Sequence, residues 1–391
     1  MYIVKILLMC VLMIRAVRNE DISTSTQKYN KTAKNISARR ILTGRSVGET
    51  RPYMVYLRAA EGTGTKLTAT DWLCGGTIIH ERYILTSAAC IEDAKHFYVV
   101  SGSHKWVKST EKNDECIKNG AKRAIWKCVP KAYYFDGDDF DNIRWMVGDI
   151  AVVKVEDDFN FERRVRGCDF IPKKVLFNNR SEDLEKGGTI GSIAGWGSTE
   201  KFGDAIGRPA TNSPDLLESD VFLLSKKSCK RHWDKRYHFI IDDQMICTKD
   251  TTDGESMSKL CQEREVNCKE MEYLADSEEG DRRSLKIPTD LQVDTAVHID
   301  ARRQGHRMPS GGFCENDHGG PLIVGQGKSS IVVGIMSACL TKDITHKCYG
   351  PYLYTSVYKY RNLISCAIDK EMGLTCRTLL RSAKTFDWSK Y

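Results

Sequence analysis

The sequence lacks a hydrophobic run of membrane-spanning length, and it lacks the ligand spacing of the common metal sites. The apolar run near the N-terminus, Ile6–Ile14, is much shorter than the roughly 20 residues that a transmembrane helix needs. The histidines include no His-x-x-x-His pair, and no Cys-x-x-Cys lies beside a carboxylate ligand. The sequence therefore predicts no membrane span, no metal site and no cofactor.

A strong charge imbalance is also missing once processing is considered. The formal net charge is +7, but residues 1–40 carry six of those net positive charges. A chain that begins at Ile41 is therefore nearly neutral. Its overall charge indicates neither a nucleic acid nor another polyanion as the partner, so such a partner has to be argued from local clusters.

The N-terminal residues have the pattern of an export signal followed by a propeptide. Lys5 precedes the apolar run, which favours a signal peptide over residues 1–18, although a buried strand would show a similar run. Residues 19–40 are polar and lack apolar periodicity, which favours a propeptide or linker. They end in Arg39-Arg40 before Ile41, which is either a processing site for a trypsin-like or furin-like enzyme or a chance pair.

Cysteine is abundant, and this indicates an oxidising compartment. The chain has fifteen cysteines; if Cys10 leaves with the signal, an even number remains, which predicts a disulfide framework. Sequons at Asn30, Asn35 and Asn179 are compatible with glycosylation in the same compartment. The 41% hydrophobic content is sufficient for a substantial core. We therefore expect a secreted, extracellular, disulfide-bonded globular protein.

The most specific motif lies at residues 311–322. It reads Gly-Gly-Phe-Cys-Glu-Asn-Asp-His-Gly-Gly-Pro-Leu and continues into the apolar Ile323 and Val324. A tight turn before an apolar strand can present one side chain beside backbone N–H groups. The stretch resembles the nucleophile loop of the chymotrypsin-like (trypsin-like, S1) serine proteases, whose pattern is Cys-x-Gly-Asp-Ser-Gly-Gly-Pro. His318 stands at the serine position.

Two further stretches resemble the segments of the same family that carry the other triad residues. Residues 73–90 resemble Cys-Gly-Gly-x-Leu-Ile followed by Leu-Thr-Ala-Ala-His-Cys, with Ala89 at the histidine position. Residues 149–155 resemble Asp-Ile-Ala-Leu-Leu-Lys-Leu, so Asp149 stands at the aspartate position. A buried carboxylate needs hydrogen-bond donors. With Ala89 opposite, backbone N–H groups, a hydroxyl or water must supply them.

The resemblance covers about residues 41–368 and implies an all-β fold. We expect two six-stranded antiparallel β-barrels of the chymotrypsin type with a short C-terminal helix, and the many short strand-like runs agree with this. An insertion at about residues 250–310 would either cap the cleft between the two barrels or lack order. The expected segments are a first barrel at about 41–166, a second at about 183–357 with an insertion at about 250–310, and a polar extension at 369–391.

The resemblance also assigns the oxyanion site and the specificity pocket. Asn316 and His318 stand at the oxyanion positions, and a Cβ at residue 316 can reorient the N–H there. Gly312 stands at the base of the pocket, and Cys339 and Tyr352 stand where its walls have small glycines. We expect the tyrosine to fill the pocket.

One part of the family's activation apparatus is present. In the family, cleavage frees an isoleucine amino group, which pairs with the aspartate before the nucleophile. The matching residues are Arg40, Ile41 and Asp317. The resemblance therefore implies that cleavage after Arg40 can still order the second barrel, or that these residues are inherited without a regulatory role.

The resemblance implies disulfides between Cys74 and Cys90 and between Cys229 and Cys247. It also makes Cys314 and Cys348 candidates. Other pairings are open from the sequence: Cys116 and Cys128 can close a small loop that is atypical of the family, and Cys168 can pair with Cys366 or Cys376.

These residues lead to one functional expectation and two alternatives. Acyl transfer needs a hydroxyl nucleophile and an imidazole base, so Ala89 and His318 imply a secreted pseudoprotease of arthropod type. We expect a protein-binding cofactor, decoy or regulator in an extracellular proteolytic pathway. The alternatives are a serine-type endopeptidase with an altered site and a polyanion-binding extracellular protein. The last depends on a basic cluster that is otherwise a solvated face: Lys226, Lys227, Lys230, Arg231, Lys235 and Arg236.

Overall fold

The computed structural model describes most of the chain downstream of residue 44. The described residues are 45–47, 50–59, 74–92, 94, 96–107, 111, 113–136, 145–198, 212–248, 312–314, 316–341, 348–369 and 373–389. The predicted signal peptide (1–18), propeptide (19–40) and insertion (250–310) lie outside the described residues. So do Asn30, Asn35, Arg40 and Ile41.

Short strands dominate the described chain. The strands are β1 Arg45–Ser46, β2 Met54–Ala59, β3 Cys74–His80, β4 Tyr83–Thr86, β5 Phe97–Ser101, β6 Lys122–Pro130, β7 Tyr134–Asp136, β8 Trp145–Val147, β9 Ala151–Val155, β10 Leu176–Phe177, β11 Ile190–Gly195, β12 Leu217–Leu224, β13 Met245–Thr248, β14 Pro321–Val324, β15 Ile331–Thr341, β16 Cys348–Ser356 and β17 Ala383–Asp387. The helices are α1 Glu115–Gly120, α2 Lys226–Lys230, α3 His238–Gln244, α4 Val357–Ile368 and α5 Gly373–Arg381. Three 3-10 turns lie at Glu182–Glu185, Lys235–Tyr237 and Gly327–Ser329.

The first barrel closes from six antiparallel strands. Their order is β6-β5-β2-β3-β4-β9, and β9 pairs back with β6. Branched and aromatic side chains fill its interior, as expected for short strands that bury at least one face. Val55, Ile78, Phe97 and Val153 are fully buried there.

The second barrel closes in the same way, in the order β12-β11-β14-β15-β16-β13 with β13 pairing back to β12. Leu322, Val333 and Met336 are buried in its core. Together the two rings confirm the predicted fold class. β1 lies in the range predicted for the first barrel, but it pairs antiparallel with β12 of the second. The N-terminal described residues therefore belong to the second barrel.

A buried polar network fastens the segment before β2 to the second barrel. Arg51 Nε donates to Glu218 Oε2 at 2.8 Å, and Arg51 Nη2 donates to Ser192 Oγ at 2.7 Å. A third guanidinium bond reaches the Tyr53 hydroxyl. A buried charge needs such pairing, and here the pairing fixes how the chain crosses from one barrel to the other.

The C-terminal residues form the predicted helix and then return to the first barrel. α4 begins after Ser356, whose Oγ accepts from Lys359 N at 3.1 Å as an N-cap. The extension, predicted only as a polar segment, folds into α5 and β17. β17 pairs antiparallel with β6, and Trp388 is buried against Phe97 with ring centroids 5.8 Å apart.

The disulfides follow the predictions in part. The structure joins Cys74 to Cys90, Cys229 to Cys247 and Cys314 to Cys348. The predicted pairs of Cys116 with Cys128 and of Cys168 with a C-terminal cysteine are wrong. α1 brings Cys116 to Cys168 at a Cα separation of 4.5 Å, whereas Cys128 is buried in β6. Cys366 and Cys376 join α4 to α5.

Candidate functional site

The glycine-rich loop before β14 lies directly against the first barrel. The Gly75 N–H of β3 donates to the His318 carbonyl at 2.8 Å. Gly319 has a φ of +82°, and a Cβ there would lie 2.4 Å from Thr86 Oγ1. Only glycine fits this close approach. The loop is therefore held at the junction of the two barrels, beside the end of β4.

Asn316 adopts a left-handed backbone with a φ of +69°. Asparagine tolerates this region better than most residues with a side chain. Its Nδ2 donates to Asn212 Oδ1 at 2.9 Å, and Asn212 Nδ2 is itself buried with no protein acceptor in the described chain. The side chain at this predicted oxyanion position is thus tied to the segment that leads into β12.

Asp149 is fully buried, just after Gly148 with its φ of +66°. Its Oδ1 accepts from Ser87 Oγ at 2.5 Å and from Ala89 N at 2.9 Å. Its Oδ2 accepts from Ser337 Oγ at 2.7 Å. Burial raises the pKa of Asp149, while these donors act in the opposite direction. Hydroxyl and backbone donors therefore provide its partners.

Sequence reasoning predicted a backbone N–H, a hydroxyl or a water as the donor without identifying it. Ser87 was recognisable, because the family pattern has alanine where this chain has Ser87, two residues before Ala89. Ser337 comes from β15, and no local pattern of the sequence relates it to Asp149.

Ala89 and His318 do not provide a base and a hydroxyl at this junction. The Ala89 side chain is a methyl group, which packs against the first-barrel core. His318 is partly exposed, and its ring lies edge-on to Phe313 at a centroid distance of 6.0 Å. The two residues are brought close by the backbone contacts of Gly75 and Gly319, but neither carries a hydroxyl that could attack a carbonyl.

Aromatic side chains fill the region predicted as the specificity pocket. Tyr352 is fully buried, and a Cβ on Gly312 would lie 2.2 Å from its ring. Phe313 packs against Tyr352 and Tyr354 at centroid distances of 5.3 Å and 5.2 Å. Cys339 is a buried thiol here, and burial raises its pKa. Phe313 was not predicted as part of this filling.

Asp317 is buried between two glycines that leave room for its carboxylate. A Cβ on Gly195 or Gly197 would lie 2.2 Å or 2.4 Å from Asp317 atoms. The carboxylate accepts from Gly197 N at 2.8 Å and from Cys314 N at 3.2 Å. Burial raises the pKa of Asp317 to about 7. No cationic side chain pairs with it in the described part of the chain; Arg40 and Ile41 lie outside that part.

The predicted basic cluster is partly neutralised by acidic neighbours. Lys230 Nζ contacts Asp242 Oδ2 at 2.6 Å, and Lys226 Nζ donates to the carbonyl of the same residue at 2.7 Å. The other members of the cluster are exposed: Lys227, Arg231, Lys235 and Arg236. Polyanion contact by this cluster stays a prediction.

Three remaining expectations fall partly within the described residues. Asn179, the third sequon position, is exposed. No helix in the described ranges is long and apolar enough to cross a membrane. Within the same ranges, His, Cys, Asp and Glu side chains form no group of three that could hold a metal ion.

Comparison with known proteins relates the fold to a family. The protein-family model described as Trypsin matches residues 43–259, which is more than half of the chain. The chain is 28% identical to chymotrypsin from Phaedon cochleariae over 46% of this chain and 52% of the relative. It is 28% identical to trypsin epsilon from Drosophila erecta over 48% of this chain and 62% of the relative.

A third similar protein is serine protease grass from Drosophila melanogaster, 26% identical over 54% of this chain and 52% of the relative. The chain spans about half the length of the curated relatives that it matches, 52% for the first and 62% for the second.

Proposed function

Because the chain belongs to the trypsin family of serine proteases, we propose that it is a member without peptidase activity that acts by binding other proteins. The expected setting is an extracellular proteolytic pathway, in which the chain serves as a cofactor, decoy or regulator. Two of its relatives are named serine protease grass and CLIP domain-containing serine protease B8. Both names describe serine proteases, which are the kind of protein that the proposed cofactor, decoy or regulator would bind.

The observation that carries the proposal is the set of partners around Asp149. In a working triad this carboxylate orients an imidazole, which takes the proton of a hydroxyl nucleophile. Here Ser87, Ser337 and the Ala89 N–H occupy both carboxylate oxygens. Among the described residues Asp149 has no imidazole to orient, and His318 offers no hydroxyl to activate. Loss of nucleophile and base together leaves at most the ~10³–10⁴-fold effect of binding and oxyanion stabilisation.

The filled pocket supports the same proposal independently of the triad positions. A protease of this family places a substrate side chain in the pocket beside the nucleophile. The Tyr352 and Phe313 rings pack with their centroids 5.3 Å apart, and a Cβ on Gly312 would lie 2.2 Å from the Tyr352 ring, which supports a filled pocket. Even a restored triad would therefore face a pocket without room for a substrate side chain.

An extracellular setting is supported by the disulfides. Within the described residues five pairs are formed. Disulfides of this density form and persist in oxidising compartments. A secreted location, glycosylation at Asn179 and removal of residues 1–18 are parts of the proposal.

Fluorophosphonate labelling and peptide hydrolysis test the inactivity. The purified chain, cleaved after Arg40, is assayed beside an active trypsin as the positive control. We expect no covalent label and no hydrolysis above background, because the label needs an activated hydroxyl. Labelling of the unmodified chain at a defined residue would overturn the proposal in favour of a peptidase with an altered site.

A matched variant separates the two causes of inactivity. Ala89→His with His318→Ser restores the triad residue types but leaves Tyr352 in place. We expect this variant to remain inert toward peptides with large P1 side chains. Efficient hydrolysis by the double variant would show that the pocket is open and that only the triad positions are responsible.

The binding role has its own measurement. The cleaved chain is added at rising concentration to an active protease of the family and its zymogen substrate. We expect the rate of zymogen cleavage to change severalfold and to saturate, whereas heat-denatured chain leaves it unchanged. A regulatory role would be contradicted if the rate of zymogen cleavage stayed unaltered with every protease–zymogen pair from the extracellular fluid in which the chain occurs.

A further inference from the structure

A cavity lined by arginines lies on the loop between β9 and the second barrel. Its volume is about 410 Å³, and its lining consists of Asn160, Arg163, Arg164, Val165, Arg166 and Gly167. Three of the six lining residues are thus arginines, and one is apolar. We call this space the arginine cavity. It contains none of the residues around Asp149.

The first half of the loop is fixed by hydrogen bonds to its own backbone. Asn160 Oδ1 accepts from Glu162 N at 3.0 Å and from Arg163 N at 2.8 Å. These bonds form an Asx turn, which fixes the backbone just before the arginines. The Lys173 ammonium donates to the Phe161 carbonyl from outside the loop.

The second half of the loop is fastened to α1. Cys168 is joined to Cys116, and Asn119 Nδ2 donates to the Arg166 carbonyl at 3.3 Å. Gly167 has a φ of +85°, and a Cβ there would lie 2.4 Å from Glu115 Cβ. The loop is therefore preorganised along its length, so a ligand need not order it first.

The charges of the arginine cavity are mostly uncompensated. Arg163 and Arg164 form no ion pair in the described part of the chain. Arg166 approaches Glu115 at 3.5 Å, but the two side chains are 86% and 52% exposed. An ion pair of that geometry is weak in water. Arg164 Nη1 donates to the Asp169 carbonyl at 3.5 Å, but a neutral carbonyl leaves the positive charge of Arg164 uncompensated.

We propose that the arginine cavity binds the sulfate group of a sulfated glycan. A guanidinium group can donate two parallel bonds to a tetrahedral oxyanion, and the anchored backbone of the loop keeps three arginines together on one short segment. The cavity is much larger than one oxyanion, and its polar lining suits the hydroxyl groups of the attached sugar. The disulfides indicate an extracellular setting, in which sulfated glycans occur.

Binding of a defined sulfated disaccharide from heparin tests the proposal by calorimetry. We expect Arg163→Gln with Arg164→Gln to weaken the affinity about tenfold, since two charge-assisted contacts are removed. A charge-matched control, Lys131→Gln with Lys328→Gln, removes two positive charges from exposed residues that belong neither to the arginine cavity nor to the basic cluster. We expect it to change the affinity less than twofold.

Two further probes make the outcome decisive. Arg163→Lys with Arg164→Lys keeps the charge but loses the planar fork, so we expect an affinity between those of the wild type and the glutamine variant. The second probe is a phosphoserine peptide, for which we expect weaker binding than for the sulfated disaccharide. Unaltered affinity in the folded arginine-to-glutamine variant, a larger loss in the lysine-to-glutamine control or preference for the phosphopeptide would each overturn the proposal.

Discussion

At the scale of single residues, Asp149 depends on serine hydroxyls, and this dependence predicts a measurable loss of stability. In Ser337→Ala the carboxylate keeps its place but loses the donor to Oδ2, which is 2.7 Å away in the structure. An unsatisfied buried carboxylate oxygen is costly, and we expect the free energy of unfolding to fall by about 1–3 kcal/mol. Urea denaturation near pH 7 measures the change.

Ser213→Ala is a suitable control for that substitution. Ser213 is also buried, but its Oγ donates to the Asp215 backbone carbonyl at 2.6 Å and not to a carboxylate. We expect the smaller loss that is usual for a hydrogen bond between neutral groups. If both alanine variants lose the same stability, the Ser337 hydroxyl is not specifically supporting the charge of Asp149.

Asp317 predicts a pH dependence of stability in the uncleaved chain. Burial raises its pKa to about 7, whereas an unfolded aspartate titrates near about 3.9. Between these values the folded chain binds a proton that the unfolded chain releases. The stabilisation is therefore present below about pH 4 and is lost as the pH rises toward about 7.

Asp317→Asn isolates this contribution, because asparagine does not titrate. We expect the unfolding free energy of the wild type, relative to that of the variant, to fall from pH 4.5 to pH 7.5 and to level off above that. Cys339 and Tyr354 lie close by, and burial raises the pKa of both, so they stay neutral over the range. A difference that is constant with pH would contradict the raised pKa of Asp317.

At the scale of elements, the C-terminal extension stabilises the first barrel through Trp388. Its backbone N–H donates to the Ile125 carbonyl at 2.7 Å, and Lys127 Nζ lies 5.3 Å from the ring centroid. We expect Trp388→Ala to lower the free energy of unfolding by about 3–5 kcal/mol, as for other large buried aromatic residues. Denaturant titration of the purified variant measures this.

The neighbouring Phe386 is the internal control, because it lies on β17, two residues before Trp388, but is 46% exposed. Phe386→Ala should cost far less than the tryptophan change, within about 1 kcal/mol. Equal losses for both variants would mean that β17 contributes through its backbone pairing with β6 and that the tryptophan does not anchor it.

The sequence was informative where a motif carries its own local geometry. The turn at Gly319 and the strands around Gly75 are encoded by contiguous residues, so the barrels and the positions of Ala89, Asp149 and His318 were predictable. β17 was not predictable, because an edge strand with exposed Lys384 and Phe386 has no apolar alternation. Its register comes from β6, which lies far away in the chain.

Contacts between distant segments also explain what was missed at the site. Ser337 meets Asp149 across 188 residues, and Cys116 meets Cys168 across 52. Neither pair has a local signature, since each depends on how separate elements dock. One large side chain at a glycine position led to the prediction that Tyr352 fills the pocket, and the Tyr352 ring does lie against Gly312. That Phe313 packs against Tyr352 and Tyr354 in the same region could be seen only from the structure.

At the scale of the whole molecule, the two barrels are joined at the same place where the site lies. The loop that carries His318 bonds to Gly75 of the first barrel at 2.8 Å. β1 adds to β12 of the second barrel just after the proposed cleavage position. The first described residues of the chain are therefore paired with the barrel that contains the Asp317 loop.

This arrangement predicts that cleavage after Arg40 acts as a conformational switch without producing hydrolysis. The new amino group of Ile41 would pair with the Asp317 carboxylate, which has only two backbone donors in the described chain. Pairing favours the charged carboxylate and lowers its pKa. We expect cleavage to raise the free energy of unfolding at pH 7 by about 3 kcal/mol, measured by denaturant titration of both forms.

Hydrogen exchange locates the switch, and Asp317→Asn provides its control. In the wild type, cleavage should increase the protection of amides at 195–198 and 316–320, which surround the carboxylate. In the asparagine variant the same cleavage should change neither protection nor stability, because an uncharged amide cannot form the ion pair. Identical profiles for cleaved and uncleaved wild type would remove the switch, while the proposed inactivity would stand, since it depends on Ala89, His318 and Tyr352 and not on Ile41.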